Sequence, residues 1–150
     1  MQQKMSQKIN SRSKGAANER WVVNAMNDYL NLHIPHLGFQ MKRNLDQTRD
    51  GGYDIVGLDE FAIEAKHYAK GCHYRPEWWQ QVCRAAGNDQ IPILVYKYNH
   101  KPQRVCVPLD WFFSAQFPIS KDDFRQHTCV MSWEDFLWFL VCYLGVQYEQ

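Results

Sequence analysis

The chain has 150 residues, 45% of them hydrophobic and 22% charged, a balance that fits one globular domain and excludes disorder throughout. Lys and Arg number 17 against 16 Asp and Glu, a net charge of +1, which excludes a histone-like binder working by bulk charge alone. The longest apolar run, 136–144, is nine residues, about half of a membrane span, so no membrane partner is expected.

Residues 1–12 (MQQKMSQKINSR) are polar, and Lys4, Lys8, Arg12 and Lys14 meet no acid before residue 19. This predicts a flexible basic N-terminal tail. A helix is expected from Ser13, as N-cap, to about Asn31, with Val22, Met26, Tyr29 and Leu30 as its apolar stripe. Residues 37–43 read as a first strand and 44–52 as a polar loop ending in Gly51-Gly52. Strands over 53–58 and 61–67 then form a hairpin about Asp59-Glu60. After a loop at 68–75, Pro76 suits the first turn of a helix that reaches Ala86 and stops at Gly87. Strands follow at 91–98 and 104–108, then aromatic-rich helical pieces near 109–115 and 133–144. Ser132 with Asp135 has the spacing of a cap for the last one. That helix is apolar nearly all round, so it is buried or lies at an interface.

The order predicts an α/β or α+β layout, a mixed β-sheet flanked by helices. One domain is expected over 13–150, with 13–108 as its core and 109–150 as a C-terminal helical extension. The five cysteines are odd in number and widely spaced, and the N-terminus lacks the apolar stretch of a signal peptide. Both point to reduced thiols in the cytoplasm. His67, Cys72, His73 and Cys83 match no zinc-ligand spacing.

The chemistry concentrates at Glu64 and Lys66. In a strand, residues two apart share a face, so Ala62, Glu64 and Lys66 lie opposite Phe61, Ile63 and Ala65. A carboxylate and an ammonium within so apolar a strand need a partner or a metal. Asp54 on the preceding strand is the candidate. A two-residue turn would pair Asp54 with Ala65 and put the two carboxylates on opposite faces. A three-residue loop, or a bulge near Gly57, pairs Asp54 with Glu64 about 5 Å apart on one face. The second register is the expected one. Two converging carboxylates suit Mg²⁺ or Mn²⁺, with the Ala65 carbonyl as a third oxygen and Lys66 beside the ion. Lys66 can then activate water or neutralise charge on phosphorus, which makes this a phosphodiester hydrolysis site. Glu19 lies on the apolar face of the first helix and wants an inward partner. Gln80 or Gln81 on the second helix is placed to bond water or phosphate; Gln81 is the catalytic candidate.

Lys14-Gly15, Glu19-Arg20, Gly38-Phe39, Arg43, Gly51-Gly52-Tyr53-Asp54-Ile55 and Ile63-Glu64-Ala65-Lys66, in this order, resemble the PD-(D/E)xK nuclease superfamily. The order is most similar to archaeal-type Holliday junction resolvases and their small phage-encoded relatives, over about residues 13–108. Gly-Tyr stands where a Pro would precede Asp54, and Asp50-Gly51-Gly52 replaces a Ser-rich stretch. The resemblance implies a restriction-endonuclease-like fold, with Glu19, Asp54 and Glu64 binding metal directly or through water and Lys66 catalytic. It also implies a homodimer with two active sites that binds branched DNA by shape and backbone, and for a phage protein a host cytoplasm. Lys14, Arg20, Lys42, Arg43, Arg49, Lys70 and Arg75 bracket the carboxylates as candidate phosphate contacts. The expected activity is metal-dependent DNA cleavage, with junction resolution favoured. The alternatives are a restriction- or repair-type nuclease on duplex or single strands, and a non-catalytic DNA-binding module of the same fold.

Overall fold

The computed structural model describes residues 2–45, 52–113 and 125–148, with backbone alone for residues 2–11 and 113. Arg49 and Gly51 lie outside the described residues. The first helix, α1, runs Gln2–His33. Its second half buries Val22, Met26 and Leu30, four residues apart on one face. A short 3-10 turn, Pro35–Leu37, ends at Gly38, whose left-handed conformation (φ 69°) lets its N–H bond the Pro35 carbonyl.

The described residues then form six strands: β1 Lys42–Arg43, β2 Ile55–Val56, β3 Phe61–Tyr68, β4 Ile91–Tyr98, β5 Arg104–Pro108 and β6 Thr128–Ser132. They lie side by side in chain order. Only the β3–β4 pair is parallel, in register from Phe61↔Ile91 to Tyr68↔Tyr98, and the other four pairs are antiparallel. A parallel pair needs a crossover, and α2 (Pro76–Ala86) supplies it. The helix begins at Pro76 and closes at Gly87 (φ 59°), whose N–H reaches the Cys83 and Arg84 carbonyls. Its apolar face, Trp78, Trp79, Val82 and Ala86, covers Ala62, Leu94 and Tyr96 on one side of the sheet.

The other side carries the larger core. Phe61, Ile63 and Ala65 of β3 and Ile93 and Val95 of β4 pack there against α1 and the last helix, α4 (Trp133–Tyr148). A short helix, α3 (Asp110–Phe113), adds Trp111. The Ser132 hydroxyl accepts the Asp135 N–H at 3.0 Å, so this cap forms as expected. Phe136, Leu137, Leu140 and Leu144 of α4 are buried, and Trp138 is 63% exposed. β3 and β4 are therefore covered on both faces, which explains their near-continuous apolar sequence.

The mixed sheet flanked by helices is the expected architecture. Three local features differ. Helix α1 starts at Gln2, so Ser13 is interior to it instead of capping it. The stretches 37–43 and 53–58 yield only two-residue strands. Of the helical piece near 109–115, Asp110–Phe113 are helical and 114–115 lie outside the described residues. Beyond it, Thr128–Ser132 forms a sixth strand, paired from Arg104↔Ser132 to Pro108↔Thr128. Residues 128–148 thus complete the sheet and its main core.

Phe61 is 1% exposed and meets Trp111 and Tyr143 edge-on, with ring centroids 5.3 and 5.7 Å apart. Phe61→Ala is expected to lower the unfolding free energy by about 3–5 kcal/mol in denaturant titration. Leu32→Ala, at a site 74% exposed, should stay within about 0.5 kcal/mol. Equal losses in the two variants would contradict this core.

Candidate active site

The β2–β3 register decides whether the two carboxylates meet. Ile55 pairs with Ile63, which is the register that sets Asp54 opposite Glu64. Gly57 makes the bend possible. Its φ is +136°, and a Cβ there would overlap the Gln40 carbonyl oxygen and Met41. Beyond Ile55 the ladder changes character. The Asp54 N–H still donates to the Ile63 carbonyl at 3.0 Å. The Ala65 N–H donates instead to the Asp54 side chain, Oδ2, at 2.9 Å. The aspartate carboxylate has replaced a backbone acceptor, so its position is fixed by the sheet itself.

Asp54 and Glu64 are both buried, 5% and 3% exposed. Burial first, and then the Asp54 charge, push the Glu64 carboxyl up to about 8. The Lys66 ammonium lies 3.6 Å from Glu64 Oε1 and offsets part of this rise. Lys66 Nζ also donates to Gln81 Oε1 of α2 at 3.1 Å. Gln81 is therefore the glutamine that reaches the site, while Gln80 is exposed.

Glu19 arrives from α1. Its carboxylate accepts from Arg43 Nε at 2.9 Å. Burial and the Asp54 charge raise its pKa, and Arg43 counters them. Arg43 is held in turn by the chain entering β1, where the Asn27 side chain accepts the Met41 N–H at 2.7 Å and donates to its carbonyl at 3.0 Å. Asp54 is thus the acid whose field reaches both Glu19 and Glu64.

All four groups border one open cavity of about 630 Å³. Arg12, Lys14 and Gly15 of α1 form one wall, and Ala65 through Ala69 form the other. A Cβ added to Gly15 would meet nothing within 4 Å, so the helix backbone lies bare to the cavity. Lys14 Nζ donates to Asn99 Oδ1 at 3.0 Å, and His67 Nε2 contacts the same oxygen at 2.9 Å. Burial lowers the His67 pKa, as do the Lys97 and Lys14 charges, against the Asn99 bond.

The basic candidates scatter more widely. Lys14 lines the cavity and Arg43 is tied to Glu19. Arg20, Lys42 and Lys70 are exposed outside the cavity lining. Arg75 lies over the Tyr68 and Trp78 rings at 4.8 and 5.2 Å. Sequence reading passed over Arg12, His67 and Tyr68 as cavity residues. Tyr68 was within its reach, because it continues the Glu64, Lys66 alternation by one more step.

Among the described residues, no three His, Cys, Asp or Glu gather closely enough to hold an ion between them. The donor set nonetheless suits a hard cation. Glu64 Oε2 is buried with no hydrogen-bond partner among the described residues, and the proton that burial and the Asp54 charge favour on Glu64 is the charge that a cation would replace.

Glu64 titrates near 8 in the folded chain and near its ordinary 4.5 when unfolded. Between these values the folded state holds the extra proton, so metal-free protein should lose stability as pH rises across this window. Glu64→Gln removes this contribution. In chelator, its Tm should gain on the wild type from pH 5 to pH 8. Parallel Tm curves would refute the buried, protonated carboxyl.

The family model described as "Phage putative PDDEXK endonuclease" matches residues 10–136. No curated protein matches the chain. The match reaches past residue 108, through β6 and into α4, and it contains every residue of the cavity. The six-stranded α/β sheet is consistent with a restriction-endonuclease-like domain. The chain belongs to this phage endonuclease family, within the PD-(D/E)xK nucleases, and is a nuclease with DNA as its substrate.

Proposed function

We propose that the protein is a Mg²⁺- or Mn²⁺-dependent endonuclease that resolves Holliday junctions and related branched DNA. The observation that carries the chemistry is the Asp54–Glu64 pair with Lys66 beside it on an open cavity. Asp54, Glu64 and the Ala65 carbonyl would hold the ion, with Glu19 supporting them from the Arg43 side. When bound, the ion supplies Lewis-acid polarisation of the phosphate and a lower pKa for the attacking water.

Attack of water on phosphorus breaks the P–O3′ bond and leaves a 5′-phosphate and a 3′-hydroxyl. Lys66, steadied by Gln81, donates to the oxygen on which negative charge develops. Lys14 and Arg12 offer charge to flanking phosphates along the cavity wall. The order of the motifs supports branched DNA as the substrate. Two opposed incisions require two sites, and α4 offers a surface for pairing two copies: Trp138, Cys142 and Val146 are exposed on successive turns.

With Mg²⁺, a four-way junction should be cut faster than flap, duplex or single-stranded DNA of the same sequence. Glu64→Ala and Lys66→Ala should each slow cleavage by about 10²-fold or more, and a chelator should abolish it. Preferred cutting of plain duplex or single strands would redirect the reading to a restriction- or repair-type nuclease. Undiminished cutting by Glu64→Ala would overturn the site. In sedimentation at micromolar concentration the chain should be a dimer and Trp138→Glu a monomer; a monomeric wild type would remove the dimer.

A further inference from the structure

A second cavity, of about 260 Å³, lies further along α1. Asn18 and Gln103 form its polar wall. They are 5% and 7% exposed, so both amides are nine-tenths buried. Gln103 Nε2 donates to Asn18 Oδ1. That bond leaves Asn18 Nδ2 and Gln103 Oε1 buried with no partner among the described residues. An orphaned amide donor beside an orphaned amide acceptor is unfavourable unless a ligand meets both. Turning both amides over leaves the same offer of one donor and one acceptor.

Trp21 borders the same cavity and is 49% exposed. Its indole contacts the buried Trp133, ring centroids 5.6 Å apart, so the aromatic platform is braced from beneath. Lys97 and Lys101 stand at the rim. The volume is below that of pockets for drug-sized ligands and suits one planar group.

We propose that this cavity receives an unpaired nucleobase of the DNA, stacked on Trp21 and read by Asn18 and Gln103, with Lys97 and Lys101 on the adjoining phosphates. Stacking on an aromatic ring with hydrogen bonds to the base edge is how extruded and single-stranded bases are held. The two cavities share a wall. Lys14, on the active cavity, donates to Asn99, and the turn that follows Asn99 supplies Lys101 and Gln103 to the second. Bases displaced at a branch are the natural occupant. The inference rests on the reading that a DNA strand crosses the active cavity.

The test uses two DNAs in chelator at low salt: a duplex with a short single-stranded arm, and the same duplex with the arm abasic. By fluorescence anisotropy, wild type should bind the base-bearing arm about tenfold more tightly. Trp21→Ala should bind both alike, at the abasic affinity, and Trp21→Phe should keep most of the preference. Equal affinities in wild type, or a preference that survives Trp21→Ala, would overturn the base site. The wild-type comparison decides the matter even where a variant fails to fold. Absence of any DNA binding would instead remove the nuclease reading beneath it, and the base site too.

Discussion

Two carboxylates on adjoining strands, each almost wholly buried at the edge of one cavity, set the terms for this molecule. Asp54 cannot retreat, because the Ala65 N–H is bonded to it. Glu64 is 3% exposed, on a strand with an apolar cluster against each face. One ammonium 3.6 Å away relieves the conflict only in part. What remains is a proton held against its usual preference, or a cation in its place. Most proteins avoid burying such a pair without a use for it.

The same helix serves both the core and the chemistry. Val22, Met26 and Leu30 fasten α1 to the sheet, and Glu19 lies one turn earlier on the cavity side. Asn27 clamps the chain before β1, which brings Arg43 to Glu19. A two-residue strand at the sheet edge is thereby held by side chains instead of a long ladder. The acid supplied by α1 answers to Asp54 and Arg43, and the pair on the strands answers to Lys66 and Gln81.

Much of this was legible in the residues, wherever punctuation was sharp. Pro76 and Gly87 bounded α2, and apolar runs bounded β4 and β5, at the positions observed. Loop length left two registers open at the β2–β3 turn, and the one expected, a three-residue loop or a bulge near Gly57, is the one observed. The start of α1 did not, because its first turns carry no apolar stripe and rest on helix-forming Gln, Lys and Met. β1 and β2 came out short because side chains, from Asn27 and Asp54, take over bonds that a longer ladder would make. β6 was hidden because Thr128–Ser132 runs straight into α4 and reads as its approach. The second cavity left no trace in any motif. Asn18, Trp21 and Gln103 are far apart in sequence or polar in an ordinary way, and only the fold brings them together.

Gly15 carries a consequence for how the enzyme can change. A glycine inside a helix weakens it by about 1 kcal/mol relative to alanine, and nothing packs against this one to justify it. An alanine would fit the fold without a clash and make α1 firmer. It would also place a methyl group on the wall of the active cavity and narrow it. Robustness and access therefore pull in opposite directions at one residue, and selection for a hardier protein would meet its limit there.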